Sequence, residues 1–384
     1  MTINKKQTVL IITSHYPPNF GGVESHLQAL VSGLIKSSWK VLISTYQPLA
    51  SMVQAPYFEN SKGVSVYRFP WLGFNIVHKL THYPLLEFLY LFPGLFIISL
   101  FILIKHSDNI NVVHSQGLVP TTVGGILAVV FRKRLVSSIH NMYFFPKEGL
   151  YTKVASLIFN MADTVLAPTQ TAADELISIG VKKEKVKLFR YWLNLSRFIP
   201  HNKILAEKQL NFKGFTVLFV GRLIETKGIK IIVKMLDKLN KHINVMIAGD
   251  GPSRTYLEQA AKKNRNLTYL GRIENDRLPL YYSAADLLIV PSIVDEGWGF
   301  VAMEAISCGT PVVASKKGGL SDVVSSLVGK LVTPNSVSFS NIINSLYKKP
   351  EELKILRSGC RKYAVKNFGE KNIQGIIEHY QYEK

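Results

Sequence analysis

Short apolar runs that alternate with helical patterns constrain the fold of this chain more than any other feature. Most of the runs are nearly continuous in Val, Ile and Leu and end at turn residues, which is typical of strands covered by helices on both faces. Between the first two runs, Val23–Ser38 has apolar side chains at positions 23, 27, 30, 31, 34 and 35, which form one face of a helix. This alternation predicts a parallel sheet with right-handed crossovers.

The strand-like runs fall into two series, and we therefore predict two doubly wound α/β domains. The first series comprises Val9–Ser14, Val41–Tyr46, Val64–Phe69, Asn111–Ser115, Leu135–His140 and Thr164–Pro168. The second comprises Phe215–Gly221, Ile243–Ala248, Leu267–Leu270, Asp286–Pro291 and Pro311–Ser315. A polar and charged stretch, His201–Lys213, separates them. The predicted domains are residues 1–200 and 201–365, and residues 366–384 form a helix that either caps the second domain or crosses back to the first.

The chain is strongly basic, since 46 Lys and Arg against 26 Asp and Glu give a formal net charge of +20. The surplus is spread over both halves, which favours an anionic membrane surface or a phosphorylated substrate as a partner. Nucleic acid is not predicted, because no binding motif occurs and the cations do not alternate with aromatic residues along one short element. Two cysteines exclude a disulfide framework, and no secretory leader is recognisable, so we expect a cytoplasmic location.

One segment departs from the pattern of a soluble domain. Phe88–Ile104 has 17 residues without a charge, slightly short for a spanning helix, and it contains Pro93-Gly94, a helix breaker or kink. Spanning would also place the strands before and after the segment on opposite sides of the bilayer. Two interpretations remain, a buried crossover helix or a helix whose outer face dips into a membrane, as in monotopic proteins.

The candidate binding residues of the second half follow predicted strands, at the edge where open α/β sheets bind ligands. Gly221 and Arg222 end one strand and Lys227 comes five residues after Arg222, so a guanidinium fork and an ammonium group are available to hold a diphosphate. Gly251 lies in a tight turn that permits close approach of the main chain. Arg272 ends a third strand near the same crevice.

The most specific block contains two glutamates, two glycines and two aromatic residues. Its members are Glu296, Gly297, Trp298, Gly299, Phe300 and Glu304. The glycines make the loop flexible, and Phe300–Ser307 has the pattern of a helix, whose first N–H groups are available to an anion or a sugar hydroxyl. The spacing of the two carboxylates lets one accept sugar hydroxyls while the other accepts ribose hydroxyls.

The ordered motifs GR…KG, AGDGP, YLGRI and EGWGFVAMEAISCGTPVVAS resemble the donor half of the retaining glycosyltransferases of family 4. The resemblance covers nearly all of residues 8–320 and implies the GT-B fold, in which two Rossmann-like domains face each other across a cleft. It implies that Arg222 and Lys227 hold the donor diphosphate, that Glu296 meets the transferred sugar and that Glu304 meets the ribose.

The first half agrees with this resemblance. Gly21-Gly22, between the first strand and the first helix, permits a phosphate to approach the main chain, and similar enzymes turn this loop toward the donor phosphates. His140 matches the family position near the transferred sugar, and His114 matches a strand-end histidine of less certain role. A hydrogen-bonded structural role is the alternative for both histidines. Tyr191-Trp192 stands where the family usually has an Asn-Gly turn.

We therefore predict retaining transfer of a hexose-type sugar from a nucleotide-diphosphate sugar to a lipid-linked or polysaccharide acceptor. His140, Arg222, Lys227 and Glu296 are the predicted catalytic residues. No Asp-x-Asp pair and no His/Cys cluster with metal spacing occurs, so we expect neither a metal nor a cofactor other than the nucleotide sugar as co-substrate.

Three other functions stay open. A sugar-nucleotide epimerase or hydrolase would use the same two domains, and a non-catalytic scaffold would use the same fold. A nicotinamide-dependent oxidoreductase is disfavoured, because the loop after the first strand lacks G-x-G-x-x-G. If the acceptor is lipid-linked, we expect a peripheral enzyme at the cytoplasmic face of a membrane.

Overall fold

The computed structural model describes residues 7–19, 22–49, 53–71, 76, 80, 83–140, 145 and 149–381. The chain divides into two compact units. The first contains Met1–Tyr191 and Lys371–Lys384, and the second contains Trp192–Glu370. The chain therefore passes between the units twice, first at Tyr191 and Trp192, a few residues before the boundary predicted from the sequence.

The first unit is built on an eight-stranded sheet. Its strands are β1 (Thr8–Ile12), β2 (Lys40–Tyr46), β3 (Phe58–Ser61), β4 (Val64–Phe69), β5 (Val112–Gln116), β6 (Arg134–Ser138), β7 (Thr164–Ala167) and β8 (Val186–Leu188). They lie in the order β3-β4-β2-β1-β5-β6-β7-β8, and every pair is parallel except β3 with β4. The sequence did not predict β3 or β8, because these edge strands are mostly exposed and lack a continuous apolar run.

The helices of the first unit connect its parallel strands. Those between Gly22 and Ser178 in the described part of the chain are α1 (Gly22–Lys36), α2 (Pro84–His106), α3 (Leu118–Phe131), α4 (Leu150–Asn160) and α5 (Gln170–Ser178). The predicted apolar face of α1 is buried, including Leu27, Leu30 and Leu34. Strand β1 is buried along its whole length. Its side chains and the buried face of α1 are part of the core of the first unit.

Pro93 lies inside α2 and does not end the helix. The hydroxyl of Tyr46, on β2, donates to the carbonyl of Leu91 and accepts from the amide of Leu95 at 2.9 Å. A proline opens the hydrogen-bond ladder around it, and the inserted hydroxyl satisfies the two backbone groups on either side of the opening. The helix therefore continues past the predicted breaker while its inner side is fixed to the sheet.

The second unit has a six-stranded parallel sheet. Its strands are β9 (Phe215–Val220), β10 (Ile243–Ala248), β11 (Leu267–Gly271), β12 (Leu287–Val290), β13 (Val312–Ser315) and β14 (Gly329–Val332). The order β11-β10-β9-β12-β13-β14 is that of a Rossmann sheet, with its reversal between β9 and β12. The edge strand β14 was not predicted, because three of its four residues are only partly buried.

Eight helices of the second unit are described. They are α6 (Lys203–Leu210), α7 (Ile229–Leu236), α8 (Arg254–Lys263), α9 (Leu278–Ala284), α10 (Phe300–Ser307), α11 (Leu320–Val323), α12 (Ser336–Lys348) and α13 (Pro350–Asn367). The core of this unit lies on both faces of the sheet, with buried Val217, Ile247 and Ile289 on one face and buried Leu218 and Leu288 on the other.

Residues 366–384 do not form the single helix that we predicted. After α13, the chain makes a short 3-10 turn, the four-residue helix α14 (Gln374–Ile377) and a second 3-10 turn. This segment belongs to the first unit, where a side chain on α1 at Gly33 would collide with Ile373. The hydroxyl of Tyr380 lies 2.6 Å from Nδ1 of His114 on β5.

Candidate active site

The reversal of strand order in the second unit brings together the two loops with the most specific predicted residues. Because β9 and β12 are neighbouring parallel strands, the loops that follow their carboxyl ends lie side by side. The loop after β9 contains Gly221, Arg222 and Lys227, and the loop after β12 contains Glu296. Open α/β sheets bind ligands at such a switch point.

The two loops are in direct contact through their main chains. The amide of Ile293 donates to the carbonyl of Thr226 at 2.9 Å. Gly228 has a φ of +78°, and a Cβ at this position would lie 2.0 Å from the carbonyl oxygen of Pro291. Only glycine fits this conformation and this distance, so the residue after Lys227 fixes the Lys227 loop against the Glu296 loop.

Lys227 and Glu296 form an ion pair across these loops. The Lys227 Nζ lies 2.5 Å from Oε1 and 2.7 Å from Oε2 of Glu296, and both side chains are largely buried. The hydroxyl of Ser292 also donates to Glu296. An ammonium group has three donors, so Lys227 bound to both oxygens of the carboxylate still has one N–H for a ligand. Sequence reasoning missed Ser292, because a lone serine after a strand carries no specific signal.

The other predicted diphosphate residues lie in the loops that follow β9, β10 and β11. Arg222 is exposed, and its guanidinium makes no hydrogen bond or ion pair within the described part of the chain. Gly251 packs against the neighbouring loop, where a Cβ would lie 2.8 Å from the carbonyl oxygen of Leu223. Arg272 is exposed and follows β11, two strands from β9, so the structure does not place it beside Lys227.

The helix that follows Glu296 begins as predicted, and its first turn is tightly packed. Gly299 is the N-cap of α10, and Phe300 is its first residue. The amide of Gly319 donates to the carbonyl of Glu296 at 2.8 Å, which joins the loop containing Gly297 to the loop after β13. The Trp298 side chain is 8% exposed and therefore offers a ligand little surface.

Glu304, on α10, has a different environment from Glu296. Its Oε2 accepts a hydrogen bond of 2.7 Å from the hydroxyl of Tyr282 on α9. Burial raises the pKa of Glu304 to about 7, although the Tyr282 hydrogen bond and the charge of Arg197 act in the opposite direction. The structure thus separates the two carboxylates chemically: Glu296 is paired with a cation, and Glu304 is held near its own pKa at neutral pH. Tyr282 was not predicted, because its partner is 22 residues away.

The predicted glycine loop of the first unit lies only in part within the described residues. Gly21 lies outside the described residues, and Gly22 is the exposed first residue of α1. The preceding loop is held by the buried Arg68, which donates to the carbonyl of Pro17 at 2.9 Å and forms an ion pair of 2.6 Å with Glu59. Arg68 therefore positions the chain that leads into Gly22, a role that its place inside β4 gave no reason to predict.

His140 is a buried, neutral hydrogen-bonding residue in this structure. Its Nε2 lies 2.6 Å from Oε1 of Gln116, and its Nδ1 lies 2.6 Å from the hydroxyl of Tyr191. An amide oxygen only accepts, so Nε2 carries the proton and Nδ1 accepts from Tyr191. Burial lowers the pKa of His140 to about 3, so the imidazole is neutral near neutral pH in this conformation. Gln116, at the end of β5, was not predicted.

His114 has the structural role that was the alternative in the sequence interpretation. Its two ring nitrogens lie 2.6 Å from the hydroxyl of Tyr380 and 2.7 Å from the hydroxyl of Ser138. The residue is fully buried on β5, and burial lowers its pKa to about 3. No group of three His, Cys, Asp or Glu side chains suited to a metal ion occurs in the residues that the structure describes.

The sequence matches two family descriptions that together cover nearly the whole of both units. "Glycosyltransferase Family 4" matches residues 20–197, and "Glycosyl transferases group 1" matches residues 201–366. The chain belongs to glycosyltransferase family 4. The family membership establishes a transferase, which decides against the oxidoreductase, the epimerase or hydrolase and the scaffold that the sequence left open.

Similar proteins support the same assignment over most of this family 4 chain. An uncharacterised glycosyltransferase of Methanocaldococcus jannaschii is 29% identical over 82% of this chain and 82% of its own. The gpi3 subunit of phosphatidylinositol N-acetylglucosaminyltransferase from Schizosaccharomyces pombe is 25% identical over 88% and 72%.

A solved structure shows the same fold. The crystal structure of Anabaena HepE in complex with UDP-glucose has a TM-score of 0.75 and 21% identity, covering 97% of this chain and 98% of that one. Two Rossmann-like units of this kind constitute the GT-B fold, as predicted.

Proposed function

We propose that this family 4 enzyme transfers a hexose-type sugar, with retention, from a nucleotide-diphosphate sugar to a lipid-linked or polysaccharide acceptor. The observation that carries the proposal is the Lys227–Glu296 pair at the switch point between β9 and β12. It combines a cation for the diphosphate with a carboxylate for sugar hydroxyls at a single place. The UDP-glucose bound to the similar HepE protein supports uridine nucleotides as the first donors to test.

In the proposed reaction, the diphosphate leaves the anomeric carbon while an acceptor hydroxyl attacks the same face of the sugar. The bond from the anomeric carbon to the diphosphate oxygen breaks, and a new bond to the acceptor oxygen forms. The acceptor proton passes to an oxygen of the leaving diphosphate, so the products are a nucleoside diphosphate and a glycoside. Neither glutamate acts as a nucleophile.

The residues of the chain act on charge and orientation in this reaction. Lys227 and Arg222 stabilise the negative charge that develops on the leaving diphosphate. Lys227 keeps Glu296 in place and uses its remaining N–H for a phosphate oxygen, and Glu296 accepts hydroxyl groups of the transferred sugar. The start of α10 at Gly299 and Phe300 contributes N–H groups, and Glu304 accepts the ribose hydroxyls.

The proposal also includes the location of the enzyme and the kind of acceptor that it uses. A net charge of +20 supports a peripheral enzyme at the cytoplasmic, anionic face of a membrane. The relative from S. pombe, which is named for transfer to phosphatidylinositol, supports a lipid-linked acceptor more directly than a polysaccharide.

The test combines a donor screen with variants of the two cations. The purified enzyme is incubated with UDP- and GDP-hexoses and candidate acceptors, nucleoside diphosphate release is measured, and the anomeric configuration of the product is determined by NMR. We expect Lys227→Ala and Arg222→Ala each to lower kcat by about 10²–10³. Lys230→Ala is the matched control, because Lys230 lies in the next turn and pairs with Glu225 in an exposed position.

Two results would refute the proposal in different ways. Turnover within a factor of two of the wild type for both Lys227→Ala and Arg222→Ala would show that the assigned diphosphate site is wrong. A product with the opposite anomeric configuration would show that the transfer is not retaining, whatever the effect of the variants.

A further inference from the structure

Three helices of the first unit cover one side of its sheet. Helix α2 packs against α3, and α3 packs against α4. Their inner sides are part of the buried core, as shown by Leu103 on α2, Leu127 on α3 and Phe159 on α4. The outer sides of these three helices therefore form one continuous surface.

This surface is apolar where a soluble unit would be polar. Ile97 and Ile104 of α2, Val129 and Val130 of α3 and Val154 and Leu157 of α4 are all exposed large hydrophobic side chains. We call these six residues and the helix surface between them the three-helix face. Soluble monomers rarely expose contiguous apolar patches of more than a few hundred Å², so a face built from three helices indicates a partner.

The long helix of the face is held in the fold along its inner side. The segment Pro84–Asn109 is long and apolar enough to span a membrane by length and composition, and 33% of its most apolar window is buried. Its inner side is fixed by the inserted Tyr46 hydroxyl and by a hydrogen bond of 2.7 Å between the hydroxyls of Ser44 and Ser99. A helix anchored on one side and apolar on the other is suited to lie in the plane of a membrane interface.

Basic side chains accompany the face. Lys105 is exposed at the end of α2, Arg132 is exposed at the end of α3, and Lys153 is exposed on α4 next to Val154 of the face. Long cationic side chains bury their aliphatic parts beside lipid while the charged ends reach the headgroups. A second copy of the chain fits the face less well, because each copy has a net charge of +20 and like charges repel.

We propose that the three-helix face inserts its apolar side chains into an anionic lipid bilayer, with Lys105, Arg132 and Lys153 at the level of the headgroups. The choice of a lipid partner rests on the lipid-linked acceptor of the proposed function. The face then keeps the first unit at the surface where such an acceptor is found.

The experiment is cosedimentation of the full chain with liposomes at low salt. Vesicles of phosphatidylcholine with 30% phosphatidylglycerol are compared with phosphatidylcholine alone. The test variant is Val129→Gln/Val130→Gln/Leu157→Gln, at positions that are 71%, 67% and 69% exposed. The control is Ile204→Gln/Leu205→Gln/Ile355→Gln in the second unit, where the exposures are 74%, 64% and 69%. We expect the test variant to lower the partition coefficient on anionic vesicles about tenfold or more and the control to leave it within twofold.

Further measurements separate this proposal from the function. The melting temperature and nucleotide binding of each variant are recorded, and both are expected to stay at the wild-type values, because the altered side chains are exposed. A wild-type protein that remains in the supernatant, or a test variant that sediments like the control, overturns the membrane face and leaves the transferase assignment intact. A wild-type dimer that the test variant converts to a monomer, seen by light scattering, also overturns it and assigns the face to a second copy.

Discussion

At the residue scale, Glu304 carries a proton that nucleotide binding at the proposed donor site is expected to displace. Its pKa is about 7 because its carboxyl group is buried, so a fraction of it is protonated in the empty protein at neutral pH. Hydroxyl donors bind a carboxylate more strongly than a carboxylic acid, and the proposed ribose contact therefore lowers this pKa. We expect nucleotide binding near pH 7 to release up to about half a proton.

Isothermal titration calorimetry in buffers with different ionisation enthalpies measures this release. The control is Glu304→Gln, which keeps the shape of the side chain and cannot titrate, so its binding enthalpy is expected to be the same in each buffer. A wild-type binding enthalpy that is also independent of the buffer would contradict the contact between Glu304 and the nucleotide.

The raised pKa of Glu304 also predicts how the free energy of unfolding changes with pH. The pKa in the folded state is about 7, above the ordinary value of 4.5, so the folded protein binds the proton more tightly than the unfolded chain. The free energy of unfolding therefore loses up to about 3 kcal/mol as pH rises from 4.5 to 7. We expect the difference in stability between Glu304→Gln and the wild type to grow in favour of the variant over this range, as measured by urea unfolding. A difference that is the same at pH 5 and pH 8 would contradict the raised pKa.

The sequence could predict charged site residues more readily than the residues that hold them in place. Lys227 and Glu296 were predictable as neighbours at the carboxyl edge of the second sheet, because each comes after a buried strand, and their role toward a ligand stays a prediction. Ser292, Tyr282 and Gln116 were not, because each acts by holding a residue already predicted, and a hydrogen bond to a partner on another element leaves no pattern in the sequence.

At the element scale, the sequence predicted the central strands and the edge strand β11, and it missed the other three edge strands, β3, β8 and β14. Strands such as β1 and β9 are buried on both faces and appear as continuous apolar runs, whereas β3 and β8 pair on one side only and carry exposed polar residues. Pro93 also shows the limit of a local pattern. Its local preference is to break a helix, but the hydroxyl of Tyr46, 47 positions earlier in the chain, satisfies the opened backbone.

The inserted hydroxyl predicts the effect of Tyr46→Phe. This change leaves the Leu91 carbonyl and the Leu95 amide, both buried, without their shared partner. We expect the free energy of unfolding to fall by about 1–3 kcal/mol, measured by urea unfolding of the full chain. The control is Tyr57→Phe, at a 63% exposed position, where no change beyond about 0.5 kcal/mol is expected. Equal effects of the two substitutions would show that the hydroxyl has no role in α2.

At the scale of the whole molecule, the two series of strands predicted the two units. They did not predict that the chain returns to the first unit after α13. Whether the last segment capped the second unit or returned to the first depended on contacts that no local pattern records. The return is specified by single pairs such as Tyr380 with His114 and Arg134 with the carbonyl of His379.

The returning segment predicts how the units respond to a truncation. Removing residues 371–384 takes away the hydroxyl that His114 needs and exposes the α1 surface beneath Ile373, so the first unit should lose about 4 kcal/mol or more. Hydrogen exchange resolved by peptide should show faster exchange in β1 and β5 and unchanged protection in β9 and β12, whose unit keeps all of its strands and helices. Removing residues 382–384 alone, which leaves Tyr380 in place, should change neither. Equal loss of protection in both sheets would mean that the units do not unfold separately, and unchanged protection in β1 and β5 would mean that the segment contributes nothing to the first unit.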